Sequence, residues 1–214
     1  MLFRDERDTA AVNTLHTAGG GGSLLIQICF RGREGMKSLS TRNMTLIGVM
    51  TAVMCIFGPM APQFGPVPFS LTVLTVYLAV YVLGMKLGTI AYLVYLLIGF
   101  VGVPVLSGYS GGPGKVLGPT GGYLIGFIFM ALVSGWFIDR YYKNIALQFV
   151  GMALGLMICY ALGTLWLAYT TGMGLAKAFA AGVVPFVALD MVKIVLAILV
   201  GRPVRSRLTR VVTA

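Results

Sequence analysis

Two ionisable side chains, Asp190 and Lys193, stand inside an otherwise apolar run, Val183–Val200, once every other charge is assigned to a polar break or a chain end. A charge at the middle of a bilayer costs roughly 2.5–3.5 kcal/mol on insertion scales, so it needs a reason to be there. Three residues apart on a helix, the two share one face, with Phe186 and Ala197 on the same side. One reading is a self-neutralising ion pair that ties helices together. The other is a polar floor for a ligand that needs both an acceptor and a donor. Tyr160, midway along another apolar run, is either a wall residue of the same site or a packing residue.

A second stretch with chemical potential is the glycine-rich segment Ser107 to Tyr123. Its glycines reach backbone conformations closed to other residues and let the main chain approach a ligand closely. It is not a phosphate-binding loop. That motif needs a glycine where Tyr109 stands and Ser or Thr where Val116 follows Lys115. Histidine chemistry is absent from the apolar part of the chain, because His16 is the only histidine. Cys29, Cys55 and Cys159 lack metal-ligand spacing and read as small packing residues.

The elements that must carry these groups follow from composition. The 214 residues are 58% hydrophobic and only 10% charged, with a mean hydropathy of +0.92. A water-soluble domain carries about 25% charged residues to cover its surface. A chain facing lipid needs no such covering. Spans of about 20 apolar residues are predicted at Met44–Met60, Val67–Leu83, Leu87–Leu106, Gly118–Ile138, Ile145–Tyr169 and Val183–Val200. The fold expected is therefore an all-α membrane protein, a bundle of six transmembrane helices. Prolines 59, 62, 66 and 68 mark an irregular junction between the first two spans.

Charge placement orients the bundle. Arg31, Arg33, Lys37, Arg42, Lys86, Arg140, Lys143, Arg202, Arg205, Arg207 and Arg210 fall on the side of both termini, and Lys115 and Lys177 on the other. Lys and Arg are retained in the cytoplasm, so both termini are expected there. The net charge of +10 is then a topology signal and an attraction to anionic lipid heads rather than a nucleic-acid surface. Residues 1–35 are expected to be a separate, poorly ordered leader or an upstream start, against the alternative of a regulatory arm. Residues 36–214 form the membrane domain with its basic tail. On the first span, Gly48 with Ala52 and Thr51 with Cys55 form small-xxx-small faces, suited either to a partner helix or to internal packing.

Gly118-Pro-Thr-Gly-Gly-Tyr-Leu-Ile-Gly-Phe127, opening the fourth predicted span, closely resembles the most recognisable stretch of the BioY family, the biotin-specific S-components of energy-coupling-factor transporters. Pro66-Val-Pro-Phe-Ser-Leu71, and Pro185-Phe186 followed by Asp190 and Lys193, extend the resemblance over roughly residues 36–208. The chain departs from the family pattern at Thr72, typically glutamine, and at Ala188-Leu189, where a Pro-Gly pair is usual. The resemblance implies a high-affinity biotin-binding subunit in the bacterial plasma membrane, with no cofactor, no metal and no catalysis of its own. Its partners would be a transmembrane coupling subunit and two ATP-binding subunits.

Biotin offers two urea N–H donors, a urea carbonyl, an apolar thioether ring and a carboxylate. On the implied site Asp190 accepts from the urea and Lys193 donates to a carbonyl or carboxylate. Phe186 and Tyr160 wall the rings, and Thr120, Gly121 and Tyr123 of the glycine-rich motif are further ligand-binding residues. Lys115 attracts the carboxylate from a loop that covers the site. The alternatives are an S-component for another vitamin such as riboflavin or thiamine, an intramembrane enzyme using Asp190, Lys193 and Tyr160, and a proton-coupled carrier. The last is disfavoured by the lack of internal repeats.

Overall fold

The computed structural model describes residues 41–60 and 71–213, with side chains through 207. The expected leader at 1–35, with His16 and Cys29, and the 66–70 segment of the family pattern lie outside the described residues.

The described chain is helical. Its elements are α1 (Thr41–Phe57), α2 (Thr72–Val101), α3 (Pro113–Val116), α4 (Gly121–Arg140), α5 (Ile145–Thr171), α6 (Leu175–Gly182) and α7 (Val184–Thr213). The one β feature among the described residues is an isolated bridge between Leu106 and Ser110. Four segments are long and apolar enough to cross a membrane: Thr72–Val101, Gly121–Arg140, Ile145–Thr171 and Leu175–Arg207; α1 is apolar but shorter.

Helix α1 buries Ile47, Thr51 and Met54, residues four and three apart and hence on one face. Thr51 Oγ1 donates to the Ala91 carbonyl at 3.1 Å, docking α1 on α2. Gly48 and Ala52 are exposed, and a side-chain carbon at Gly48 would touch nothing within 4 Å. The two small-residue faces therefore differ: the Thr51 face packs inside, and the Gly48 face is open.

Helix α2 is broken where a turn is expected. Gly84 has φ 82° and ψ 176°, a conformation that a side chain disfavours. Residues 80 and 88 would be about 12 Å apart along an unbroken helix. Instead a Cβ on Gly88 would lie 2.6 Å from Val80 Cα, so the two arms of α2 fold against each other. Asp139 closes this turn: its carboxylate accepts from Met85 N at 2.8 Å and from Arg205 Nη2 at 2.7 Å. Arg205 also donates to the Tyr81 carbonyl at 3.3 Å and lies 5.2 Å over the Tyr142 ring. Nearby, buried Gln148 accepts from the Tyr81 hydroxyl and donates to the Tyr141 and Tyr142 carbonyls at 3.0 and 2.6 Å. The break in α2, the end of α4, the start of α5 and the last turns of α7 thus meet in one polar knot.

The second arm of α2 stops at Val101 rather than at the predicted Leu106, because Gly102 takes φ 116° and closes the helix on Gly99 and Ile98. The following loop is tied down by Gly112 N to Gly99 O at 2.7 Å and Gly108 N to Pro59 O at 3.1 Å. It contains α3, a single turn that the sequence reading did not foresee. The last span also differs from expectation: α6 precedes it, and α7 continues through Pro203 to Thr213.

Helices α4 and α5 are joined through glycine. Gly151, Gly155, Cys159 and Gly163 recur every fourth residue along α5, and Gly122 and Gly126 answer them on α4. A Cβ at Gly126 would sit 3.0 Å from Cys159 Cα, and one at Gly155 3.0 Å from the Met130 carbonyl. Gly122 is pressed on Trp166 and Gly163 on the Tyr123 ring. Small residues of this kind let backbones approach closely where no hydrophobic effect drives helices together. Cys159, 1% exposed, is the packing residue expected of it.

Overpacking a close-packed interior costs about 1–3 kcal/mol. Gly155→Leu is therefore expected to lower the thermal unfolding midpoint in detergent by several degrees, whereas Gly48→Leu leaves it within error. Differential scanning fluorimetry of both variants checks this, and equal shifts would contradict the assigned faces.

Candidate ligand-binding site

Residues from α2, α4, α5, α6 and α7 and the glycine-rich loop converge on one cleft, lined by Thr72, Val73, Ser107, Thr120, Tyr123, Leu124, Phe127, Leu156, Cys159, Tyr160, Gly182, Phe186, Asp190 and Lys193. Its walls are mainly apolar and aromatic, and its charged groups are together. The cleft is tight, with about 50 Å³ of open volume, room for a few water molecules.

Asp190 and Lys193 are 3% and 5% exposed. Lys193 Nζ donates to Asp190 Oδ1 at 2.7 Å. Tyr160 Oη, from α5, donates to Asp190 Oδ2 at 2.6 Å. The pair is thus intrahelical on α7, and the tyrosine is what extends it across to α5. A carboxylate offers about four lone-pair sites and an ammonium three donors. Two protein donors leave Asp190 able to accept from a ligand as well. The group as a whole is neutral, which is how two charges persist at membrane depth without unpaired burial.

The remaining expected residues separate into two groups. Thr120, Tyr123, Tyr160 and Phe186 line the cleft with Asp190 and Lys193. Gly121 and Lys115 do not. Gly121 is pressed on the Val116 carbonyl and would place a Cβ 3.2 Å from Trp166 Nε1, so it permits the α3–α4 turn rather than facing the cleft. Lys115 sits half-buried on α3, where desolvation lowers its ammonium pKa. Tyr123 also has a structural task, because its hydroxyl donates to the Gly182 carbonyl at 3.3 Å. The motif's opening is fixed by Trp166 Nε1 donating to the Gly118 carbonyl at 2.9 Å.

Leu156 and Cys159 are lining residues that the sequence reading did not assign to a site, although both lie one helical turn or less from Tyr160. Leu124 and Phe127 belong to the glycine-rich motif and follow Thr120 at helical spacing. Ser107 opens the glycine-rich segment, whereas Val73 and Gly182 carry no local signal, since only the tertiary fold brings them to the cleft. Thr72, one of the positions where the sequence departs from the resembled pattern, is also a wall residue. No group of three or more His, Cys, Asp or Glu suited to a metal occurs among the described residues.

The model of the BioY family matches residues 33–210. A biotin transporter BioY of Thermotoga maritima is 40% identical over 160 residues, covering 75% of this chain and 94% of the relative. One from Rhizobium etli is 36% identical over 177 residues, covering 78% and 94%. Among solved structures, the S-component for biotin from an ECF-type ABC transporter superposes with a TM-score of 0.72 at 29% identity, covering 79% of this chain and 94% of that one. With the glycine-rich motif, the Asp190–Lys193 pair and the helical architecture all inside the matched region, the chain belongs to the BioY family.

Proposed function

We propose that this chain is the biotin-binding subunit of a vitamin uptake transporter in the bacterial plasma membrane, driven by ATP through partner subunits. The observation that carries this reading is the neutral Tyr160–Asp190–Lys193 group buried at the end of an apolar, aromatic-walled cleft. Biotin needs acceptors for its urea N–H groups, a donor for its carbonyl or carboxylate, and an apolar wall for its rings. Asp190, Lys193 and the Phe186–Phe127–Leu124 surface supply them in that order. The relatives are named as transporters, which disfavours an intramembrane enzyme built on the same three residues.

The two arms of α2 count as separate spans in this reading, giving six with α1, α4, α5 and the α6–α7 stretch. Lys86, Arg140, Lys143, Arg202, Arg205 and Arg207 gather around the Asp139 end, which is cytoplasmic by the retention of positive charge. The cleft draws on Ser107, Thr120 and Gly182 from the opposite end, so it faces the outside, as capture for uptake requires. Because the open volume is small, admitting a bicyclic ligand needs the walls to move. The glycine-rich loop carrying Lys115 is the segment above them. The uncovered Gly48–Ala52 face of α1 suits close approach by a helix of a transmembrane coupling subunit, with two ATP-binding subunits beneath.

Calorimetry on the detergent-purified chain tests the substrate and the site together. Saturable binding of biotin, with none of riboflavin or thiamine, is expected. Asp190→Asn should weaken it by about 10- to 100-fold, the range for losing a hydrogen bond to a charged group. Unchanged affinity in the variant would remove Asp190 from the site, and binding of another vitamin instead would overturn the substrate. Lys193→Met leaves a buried carboxylate without its counter-charge and should destabilise the fold by about 3–5 kcal/mol. Adding Asp190→Asn to that variant should restore part of the loss, and a failure to do so in thermal melts would show that the pair is not coupled.

At the partner face, Ala52→Trp should abolish co-purification with a coupling subunit while leaving biotin affinity unchanged. Undiminished co-purification would place the interface elsewhere.

A further inference from the structure

A second cavity lies beside the cleft, between α5 on one side and α6 and α7 on the other. It is an open lateral groove of about 1110 Å³. Its lining is uncharged: apart from Tyr160 and Thr164, every side chain on it is aliphatic, thioether or phenyl. Among them Met157, Leu165, Leu175 and Phe179 are more than half exposed, so the groove is continuous with the surface that faces hydrocarbon. On α5 it runs from Ala153 to Leu165, about 18 Å at 1.5 Å per residue. Half of a hydrocarbon core about 30 Å thick is roughly 15 Å.

We infer that this groove binds one acyl chain of a membrane phospholipid, from the leaflet on the side of the Gly172 turn. Three properties fit such a chain. The lining has no charge to pair with a headgroup or a polar peptide. The length is that of one leaflet, not of a spanning helix. The exposed Met157, Leu165, Leu175 and Phe179 set its mouth on the apolar flank of the bundle. The chain seated there packs against the ring of Tyr160, which lines both cavities and whose hydroxyl holds Asp190. Lipid is thereby one side chain away from the polar end of the cleft.

The inference rests on the membrane reading and not on the ligand, and the test below uses no biotin, so its failure is separate from a failure of the biotin assignment. The full chain is placed in nanodiscs of phosphatidylethanolamine and phosphatidylglycerol carrying a trace of phospholipid with a diazirine on its acyl chain. After irradiation, adducts are mapped by peptide mass spectrometry. Groove residues on α5, α6 and α7 should be labelled at least fivefold more than Leu93, Val94 and Leu97, which are exposed on α2. Ala161→Trp fills the groove and should bring its labelling down to that of α2, with Ala176→Trp as the second variant if the first does not fold. Equal labelling of the groove and α2 in the unaltered chain, or groove labelling unchanged by the tryptophan, would overturn the site. Labelling of the groove below that of α2 would also overturn it, because another part of the chain or a second copy would then cover it.

Discussion

A carboxylate at membrane depth is tolerable only while it is matched, and in this chain Asp190 is matched twice. Lys193 neutralises it along α7, and Tyr160 reaches it from α5. Neither an isolated Asp190 nor an isolated Lys193 could be held so far from water without a cost of several kcal/mol. The group can serve a ligand because its own electrostatics are already satisfied by folding. What remains is hydrogen-bonding capacity rather than naked charge. A ligand with donors and an acceptor can engage it without importing a counter-ion.

Everything else in the bundle fixes where that group stands. Helix α5 is held against α4 by glycines at every fourth position, which bring the backbones close and set the height of Tyr160. Helix α7 is anchored some 15 residues beyond Asp190, where Arg205 meets Asp139 at the break in α2. Between these two restraints the α5–α7 seam carries little packing of its own, and the lateral groove opens there. The Tyr160–Asp190 hydrogen bond is a polar tie across it. Rigid flanks and a soft seam suit a site whose walls must part to admit a ring system.

The candidate site was more legible in the sequence than the fold around it. Asp190 and Lys193 announce themselves because nothing else ionisable lies in an apolar run. Phe186 and Tyr123 come with the motifs that carry the family resemblance. The turn at Gly84 was visible in the paired glycines Gly84 and Gly88. Other features depend on long-range contact and left no local trace. Helix α3 inside the glycine-rich loop is one, and the stop at Gly102 instead of Leu106 is another, since a run of apolar residues does not say where the backbone turns. The glycine stripe of α5 stands at i, i+4 spacing, but that spacing alone names no partner helix. Gly121 illustrates the opposite case: it sits in the most recognisable motif, yet its role is to let α4 begin beneath Val116 rather than to face the cleft.

Whether Asp190 and Lys193 touch the bound vitamin is decided by a structure of the chain with biotin. A ureido nitrogen is expected within about 3.2 Å of an Asp190 carboxylate oxygen, with a biotin oxygen at the same distance from Lys193 Nζ. Biotin seated with every atom more than about 5 Å from both side chains, well beyond hydrogen-bond reach, would contradict that contact.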